Sequence, residues 1–318
     1  MPSVHGTFRA LAIVALVGCA DQRMAPVPDY PVTAQRVLLI SLDGVRGDAL
    51  PHLPTVQMLA QRGVWTDAMQ TVLPALTVPA HLSMLTGRDV TQNGITMNTM
   101  DAGVAAVMRI NGMTPMFAWA RSAGIRSAAV AGMSLIPSAQ RVETQAFFEV
   151  DTLIATDGDA PLLASAAMDL LDADSAVRMM FVHFPDADFA GHTYGWIGGD
   201  GALTPAYLAA LARVDSAIAK LWSDVAASVD AGQTAVIITA DHGGGHGEGC
   251  NTGELPTHTH CTAHPGDRLV PFVLVAKGAS NGRLSGPVAV TQVAPTVGAL
   301  LGLAIPERAA TAIELRRD

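Results

Sequence analysis

The sequence predicts a layered α/β/α fold with a largely parallel central sheet, and three observations lead there. Apolar runs recur along the chain and are continuous rather than alternating, as strands are when helices cover both faces of their sheet. Helix-like segments lie between these runs, with proline at several of their starts and glycine at several of their ends. No repeat, linker or low-complexity block interrupts Val32 to Pro306, so residues 32–318 are expected to form a single domain.

Taken in order, the expected strands are Val37–Leu42, Ala128–Ala131, Met179–Phe184, Ala235–Thr239 and Val270–Ala276. The expected helices lie near Thr55–Arg62, Pro115–Ala123, Pro161–Leu171 and Pro205–Val229, and Gly63, Gly124 and Gly232 close three of them. Strands that alternate with helices pair in parallel, because each helical crossover carries the chain back to the end of the sheet where the previous strand began.

Composition narrows the function. Half of the 318 residues are hydrophobic and 15% are charged, too apolar a balance for a disordered chain. With 19 basic and 28 acidic residues the net charge is −9, so no nucleic-acid-binding surface is evident. Lysine occurs only at Lys220 and Lys277. A phosphate ligand then needs another source of positive charge, and a bound metal is the obvious one.

The first residues read as an export signal. Arg9 precedes a short apolar stretch, Ala10 to Gly18, which is too short to span a bilayer. Leu16-Val17-Gly18-Cys19 resembles the bacterial lipobox, with the signal peptide at 1–18 and a lipid on Cys19. The alternative is an ordinary buried helix. Residues 19–31, rich in proline, read as a flexible tether. These features place the protein in the bacterial envelope, facing the periplasm and attached to the membrane, with the outer membrane favoured, through its N-terminal lipid. In that oxidising compartment Cys250 and Cys261 are expected to pair; two separate thiols are the alternative.

Acidic residues follow three of the expected strands: Asp43 after the first, Asp186 and Asp188 after the third, Asp241 after the fourth. Ligands bind at the carboxyl ends of strands in open α/β sheets. Any one aspartate there could simply cap a turn. Asp188 and His192 are four apart around what reads as a glycine turn, Asp241 adjoins His242, and His246, His258, His260 and His264 follow. Mixed aspartate and histidine donors suit zinc, with manganese or iron also compatible. Two such clusters beside Asp43 suggest two divalent ions. Thr77 stands just before an apparent helix start, where unsatisfied N–H groups suit a phosphoryl anion.

SLDGVRGDAL, LTVPAHLSMLTGR, PDADFAGHTYG and TADHGGGHG, in this order, resemble the alkaline phosphatase superfamily, and within it the type I phosphodiesterase/nucleotide pyrophosphatase branch. The resemblance implies Asp43, Thr77, Asp241 and His242 around one metal, and Asp188, His192 and His260 around the other. His264 is the alternate to His260. It also implies Thr77 as the nucleophile, a phosphothreonine intermediate, and Asn98 as a donor to a phosphate oxygen. Ala80 and Asn93 depart from the branch, which often has asparagine and histidine there.

The implied reaction is hydrolysis of phosphodiesters or nucleotide pyrophosphates. A phosphomonoesterase or phosphonate hydrolase of the same superfamily is the alternative, and a non-catalytic binding lipoprotein a distant one. Sulfatases need a modifiable Cys or Ser, which Thr77 replaces. A lipase-like serine hydrolase, suggested by Gly278-Ala-Ser280-Asn-Gly282, lacks any histidine after Ser280. His81, His183 and His246 read as supporting or structural residues. Tyr194 and Trp196 read equally as stacking groups for substrate or as loop packing.

Overall fold

The computed structural model describes residues 23–132, 145 and 148–315. The signal segment 1–18 and Cys19 lie outside the described residues. The described residues form ten strands: β1 (Met24–Ala25), β2 (Arg36–Leu42), β3 (Val64–Gln70), β4 (Arg126–Gly132), β5 (Thr152–Thr156), β6 (Val177–Phe184), β7 (Thr234–Thr239), β8 (Leu269–Val275), β9 (Gly282–Arg283) and β10 (Ile305–Pro306). Eight of them form one sheet in the order β5-β4-β6-β2-β7-β8-β3-β9. It is parallel from β5 to β7, and β8 runs antiparallel to both its neighbours.

Each apolar run read as a strand is one, and β3, β5 and the two-residue β1, β9 and β10 are additions. In β2, every residue from Val37 to Leu42 is buried, so both sheet faces are covered. Full burial of such a side chain contributes about 1.5–3 kcal/mol. The helix Pro205–Asp230 turns Leu211, Val214, Ile218, Leu221 and Val225 inward, a spacing of three and four residues. Thr204 begins it by accepting a hydrogen bond from the Tyr207 N–H. This helix packs on Ala160–Ala173 and Asp186–Tyr194, while Thr77–Thr86, Met116–Ser122 and Val293–Leu300 form a second group. No described helix is long and apolar enough to cross a membrane.

Two expectations need correction. Part of the stretch read as a tether is fixed, because β1 pairs antiparallel with β10. The Asp188-to-His192 segment is not a glycine turn but lies within the helix Asp186–Tyr194. Glycine is needed at 191 for packing: a Cβ there would lie 2.2 Å from the Trp196 ring.

What positions the site is the register of three adjacent strands. Leu42 of β2 pairs with Phe184 of β6, and Ser41 pairs with both His183 and Thr239 of β7. Their carboxyl ends are therefore level, and the chain leaves each beside the others. Asp43 donates its N–H to Phe184 O, and Asp188 donates its own to Asp43 O. Gly44, with φ +71°, makes this approach possible, since a Cβ there would lie 2.7 Å from Asp188 Cα. Its carbonyl accepts hydrogen bonds from both Trp196 Nε1 and the Tyr207 hydroxyl. Gly44→Ala should cost about 2–4 kcal/mol, the left-handed backbone adding to the overpacking. Denaturant melts of the metal-free chain would check this, and unchanged stability would contradict the packing argument.

Candidate metal centre

The level strand ends deliver Asp43 after β2, and Asp241 with His242 after β7. Asp188 and His192 come from the helix after β6, separated by one helical turn. Thr77 is the first residue of the helix Thr77–Thr86, preceded by Leu76 at its cap position. His260 arrives on the loop after the short turn Pro256–His258.

Two overlapping groups result. Asp43, Asp241 and His242 offer ligand atoms within 4.8 Å of one another, and so do Asp188, His242 and His260. His242 Nε2 is 3.3 Å from Asp43 Oδ1, 3.1 Å from Asp241 Oδ2 and 3.0 Å from Thr77 Oγ1. On the other side, Asp188 Oδ1 is 3.5 Å from His192 Nε2 and 3.7 Å from His260 Nε2. The rings of His242 and His260 stack with centroids 3.7 Å apart.

The partners of the outward ring nitrogens assign the tautomers. His242 Nδ1 donates to Gly243 O at 2.7 Å, and His260 Nδ1 to Ala75 O at 2.6 Å. His192 Nδ1 faces Glu254 Oε2 at 3.4 Å. His242 and His260 thus present an unprotonated Nε2 to the centre, the form that ligates metals. His192 Nε2 and His260 Nε2 face each other at 3.2 Å. Metal-free, the His192 Nε2–H donates to the His260 Nε2 at this distance; a cation bound between them takes the place of that proton. Asp43 Oδ1, Asp188 Oδ1 and Asp241 Oδ2 are buried without any hydrogen-bond partner. The donor set and its orphaned oxygens fit divalent cations.

The electrostatics agree. Burial, then repulsion from Asp241 and Asp188, pushes the Asp43 carboxyl well above the usual carboxylate range. Asp241 is raised by burial and by Asp188. Burial and His260 push the His242 imidazole well below its ordinary value, and burial lowers His260 too. The protein alone therefore disfavours the ionised forms of Asp43 and Asp241.

The fold brings together Asp43, Thr77, Asp188, His192, Asp241, His242 and His260. His264 stands apart: it is exposed, stacks on His246 at 3.4 Å, and accepts a hydrogen bond from the Gly266 N–H. Asn98 is exposed, and its Oδ1 accepts the Val78 N–H at 2.9 Å. That bond ties Asn98 to the second residue of the Thr77 helix and directs its amide NH₂ away from Val78. Trp196 is fully buried, which settles its role as packing, while Tyr194 is exposed. A cavity of about 660 Å³ opens beside Asp188 and His192, and the exposed aromatic lining it is Phe189, with Arg213 opposite Asp186.

Sequence reasoning missed Glu254, Phe189 and Arg213. Phe189 adjoins Asp188 within PDADFAGHTYG, and its exposure is what the sequence did not show, whereas Glu254 and Arg213 are brought in only by tertiary structure.

The Cys250–Cys261 disulfide is present, with Cα atoms 5.8 Å apart. Its loop carries Glu254 and also His258, whose Nδ1 donates to His192 O. Cys261 O accepts the Ala75 N–H, so the bridge adjoins the segment that orients His260.

A family model for type I phosphodiesterase / nucleotide pyrophosphatase matches residues 37–269. Human ectonucleotide pyrophosphatase/phosphodiesterase family member 1 is 26% identical over 225 residues, covering 65% of this chain and 23% of that protein. The chain thus spans under a quarter of that relative's length. Murine ectonucleotide pyrophosphatase/phosphodiesterase 5 superposes with a TM-score of 0.63 at 15% identity, over 87% of this chain and 97% of that one. Phosphonate monoester hydrolase of Agrobacterium radiobacter gives 0.58 at 16% identity, over 85% of this chain and 74% of that one. These structures share the alkaline phosphatase-like fold.

Replacing Cys250 and Cys261 by serine should remove about 3 kcal/mol of stability, as expected for a loop of this length. The same variant should release zinc to a chelator faster than the wild type. Wild-type release rates would show that the bridge does not brace the His192 and His260 side.

Proposed function

The chain belongs to the type I phosphodiesterase/nucleotide pyrophosphatase family, and from that premise we propose a two-metal hydrolase of phosphodiesters or phosphoanhydrides with Thr77 as nucleophile. One observation carries the reading: Thr77 Oγ1 lies 3.0 Å from the unprotonated His242 Nε2, at the start of a helix and beside the gathered carboxylates. Asp43, Asp241, His242 and Thr77 would hold one ion, and Asp188, His192 and His260 the other. Bound there, divalent ions supply positive charge that favours the threonine alkoxide and offsets charge on the leaving oxygen. Zinc suits the donors best.

The chain's own residues do the rest. Thr77 Oγ1 attacks phosphorus, the bond to the leaving alcohol or phosphate breaks, and water later hydrolyses the phosphothreonine. Within the first three positions of this helix, Val78 commits its N–H to Asn98, and Pro79 has none. The donors left for the phosphoryl oxygens are the Thr77 N–H and the Asn98 amide, a small preorganised set. The cavity beside Asp188 and His192 would take the leaving group, with Phe189 as its apolar wall. The disulfide supports an oxidising compartment, in keeping with export and a lipid anchor on Cys19.

With zinc supplied, a nitrophenyl phosphodiester should be hydrolysed faster than the matching monoester. A tenfold preference for the monoester, in the sense of about 1.4 kcal/mol of transition-state discrimination, would favour the monoesterase alternative instead. Thr77→Ala should lower kcat on the order of 10³-fold or more while the chain still binds zinc. Labelled palmitate should enter the wild type expressed in a bacterial host and not Cys19→Ser; equal labelling would remove Cys19 as the anchor.

A further inference from the structure

His183 lies on β6, opposite Ser41 of β2 in the parallel register, and none of its surface is exposed. Its neighbours on the strand are Val182 and Phe184, so the position reads as core. An imidazole is a poor core filler, since its polar atoms must be satisfied or their desolvation is uncompensated. Here one nitrogen is satisfied and the other is not. Nε2 donates to Asp43 Oδ2 at 2.8 Å, whereas Nδ1 is buried with no hydrogen-bond partner. Phenylalanine would fill the same space without the orphan.

The partner explains the choice. Asp43 has one oxygen on His183 and the other, Oδ1, unpartnered and 3.3 Å from His242 Nε2. The His183 N–H therefore decides which Asp43 oxygen faces the centre, and fixes the carboxylate's rotation about its own axis. A second buried imidazole, His81, crosses His183 edge to face with centroids 5.1 Å apart. Its Nδ1 donates to Thr77 O at 2.9 Å, and its Nε2 accepts from the Ser41 hydroxyl at 2.9 Å. The two rings sit side by side, one behind a carboxylate and the other behind the main chain of Thr77.

We propose that His183 is a positioning residue that aims Asp43 and so sets the metal affinity of the Asp43–Asp241–His242 group, without touching substrate. The inference rests on the metal-dependent reading above. A donor placed behind a ligand typically changes metal affinity 10–100-fold when removed. The effect should be selective, because the His183 contact is to Asp43 and not to Asp188, His192 or His260.

The test is zinc binding to the full chain, measured by metal analysis after dialysis against graded chelator, with no substrate involved. His183→Phe should weaken one class of bound zinc on the order of 10–100-fold and leave the other unchanged. His183→Gln places an amide N–H near the position of Nε2 and should restore most of the loss. Metal-free melting of His183→Phe should match or exceed the wild type, since the orphaned Nδ1 is gone. Wild-type zinc affinity in His183→Phe overturns this inference alone. A lower metal-free melting temperature with equal loss of both zinc classes makes His183 a fold residue and also overturns it. A wild-type chain that binds no zinc overturns the hydrolase reading along with it.

Discussion

Three carboxylates, Asp43, Asp188 and Asp241, converge where little water reaches, and their mutual repulsion is the constraint on which the rest of the structure depends. In such a medium like charges interact strongly, and ionised carboxylates persist only if something offsets them. The protein supplies no lysine or arginine among the gathered ligands. It supplies instead neutral imidazoles whose protons are turned outward onto Gly243 O and Ala75 O. The level ends of β2, β6 and β7, the bare Gly44 and the tautomers of His242 and His260 all serve one end. They assemble negative charge and lone pairs around a space for cations.

The two halves of the centre are built differently. Asp43, Asp241 and His242 leave the sheet itself and are wholly buried. His192 is partly exposed, and His260 rides on a loop held by a disulfide and by Ala75. One half inherits its precision from strand register, the other from a covalent clip. Loops of this kind open more readily than sheet cores, so the two halves need not exchange their ions at the same rate.

Much of this was legible in the sequence, for identifiable reasons. Continuous apolar runs such as VLLISL and AVIITA can only be central strands, and the aspartate after each is then placed by the fold class. The four ordered motifs did the same for Thr77, His192 and His242. The strand β3 was not legible, because Val64–Gln70 mixes buried and half-buried residues and carries a register shift between Thr66 and Met69. The strand β5 sits at a sheet edge and is only partly covered. The Asp188-to-His192 segment looked like a turn because Gly191 is a poor helix former; its reason, the Trp196 ring, is a tertiary contact. Glu254 and the partner of His183 were out of reach for the same cause. Contacts across 62 and 140 positions leave no periodic trace.

The small antiparallel pair of β1 with β10 carries a consequence for how the domain sits. Met24 and Ala25 are hydrogen-bonded to the C-terminal strand, and Arg23 O accepts the Glu307 N–H. The folded domain thus begins by about residue 23 rather than after residue 31 as composition suggested, and a lipid on Cys19 would be four residues away. Fully extended, the segment from Cys19 to Arg23 reaches only about 14 Å, roughly the thickness of a lipid headgroup layer and a little more. A domain so closely attached would stay against the bilayer surface and turn only within a narrow range of orientations. With such a lipid in place, its working neighbourhood would be the thin layer of solvent next to that membrane.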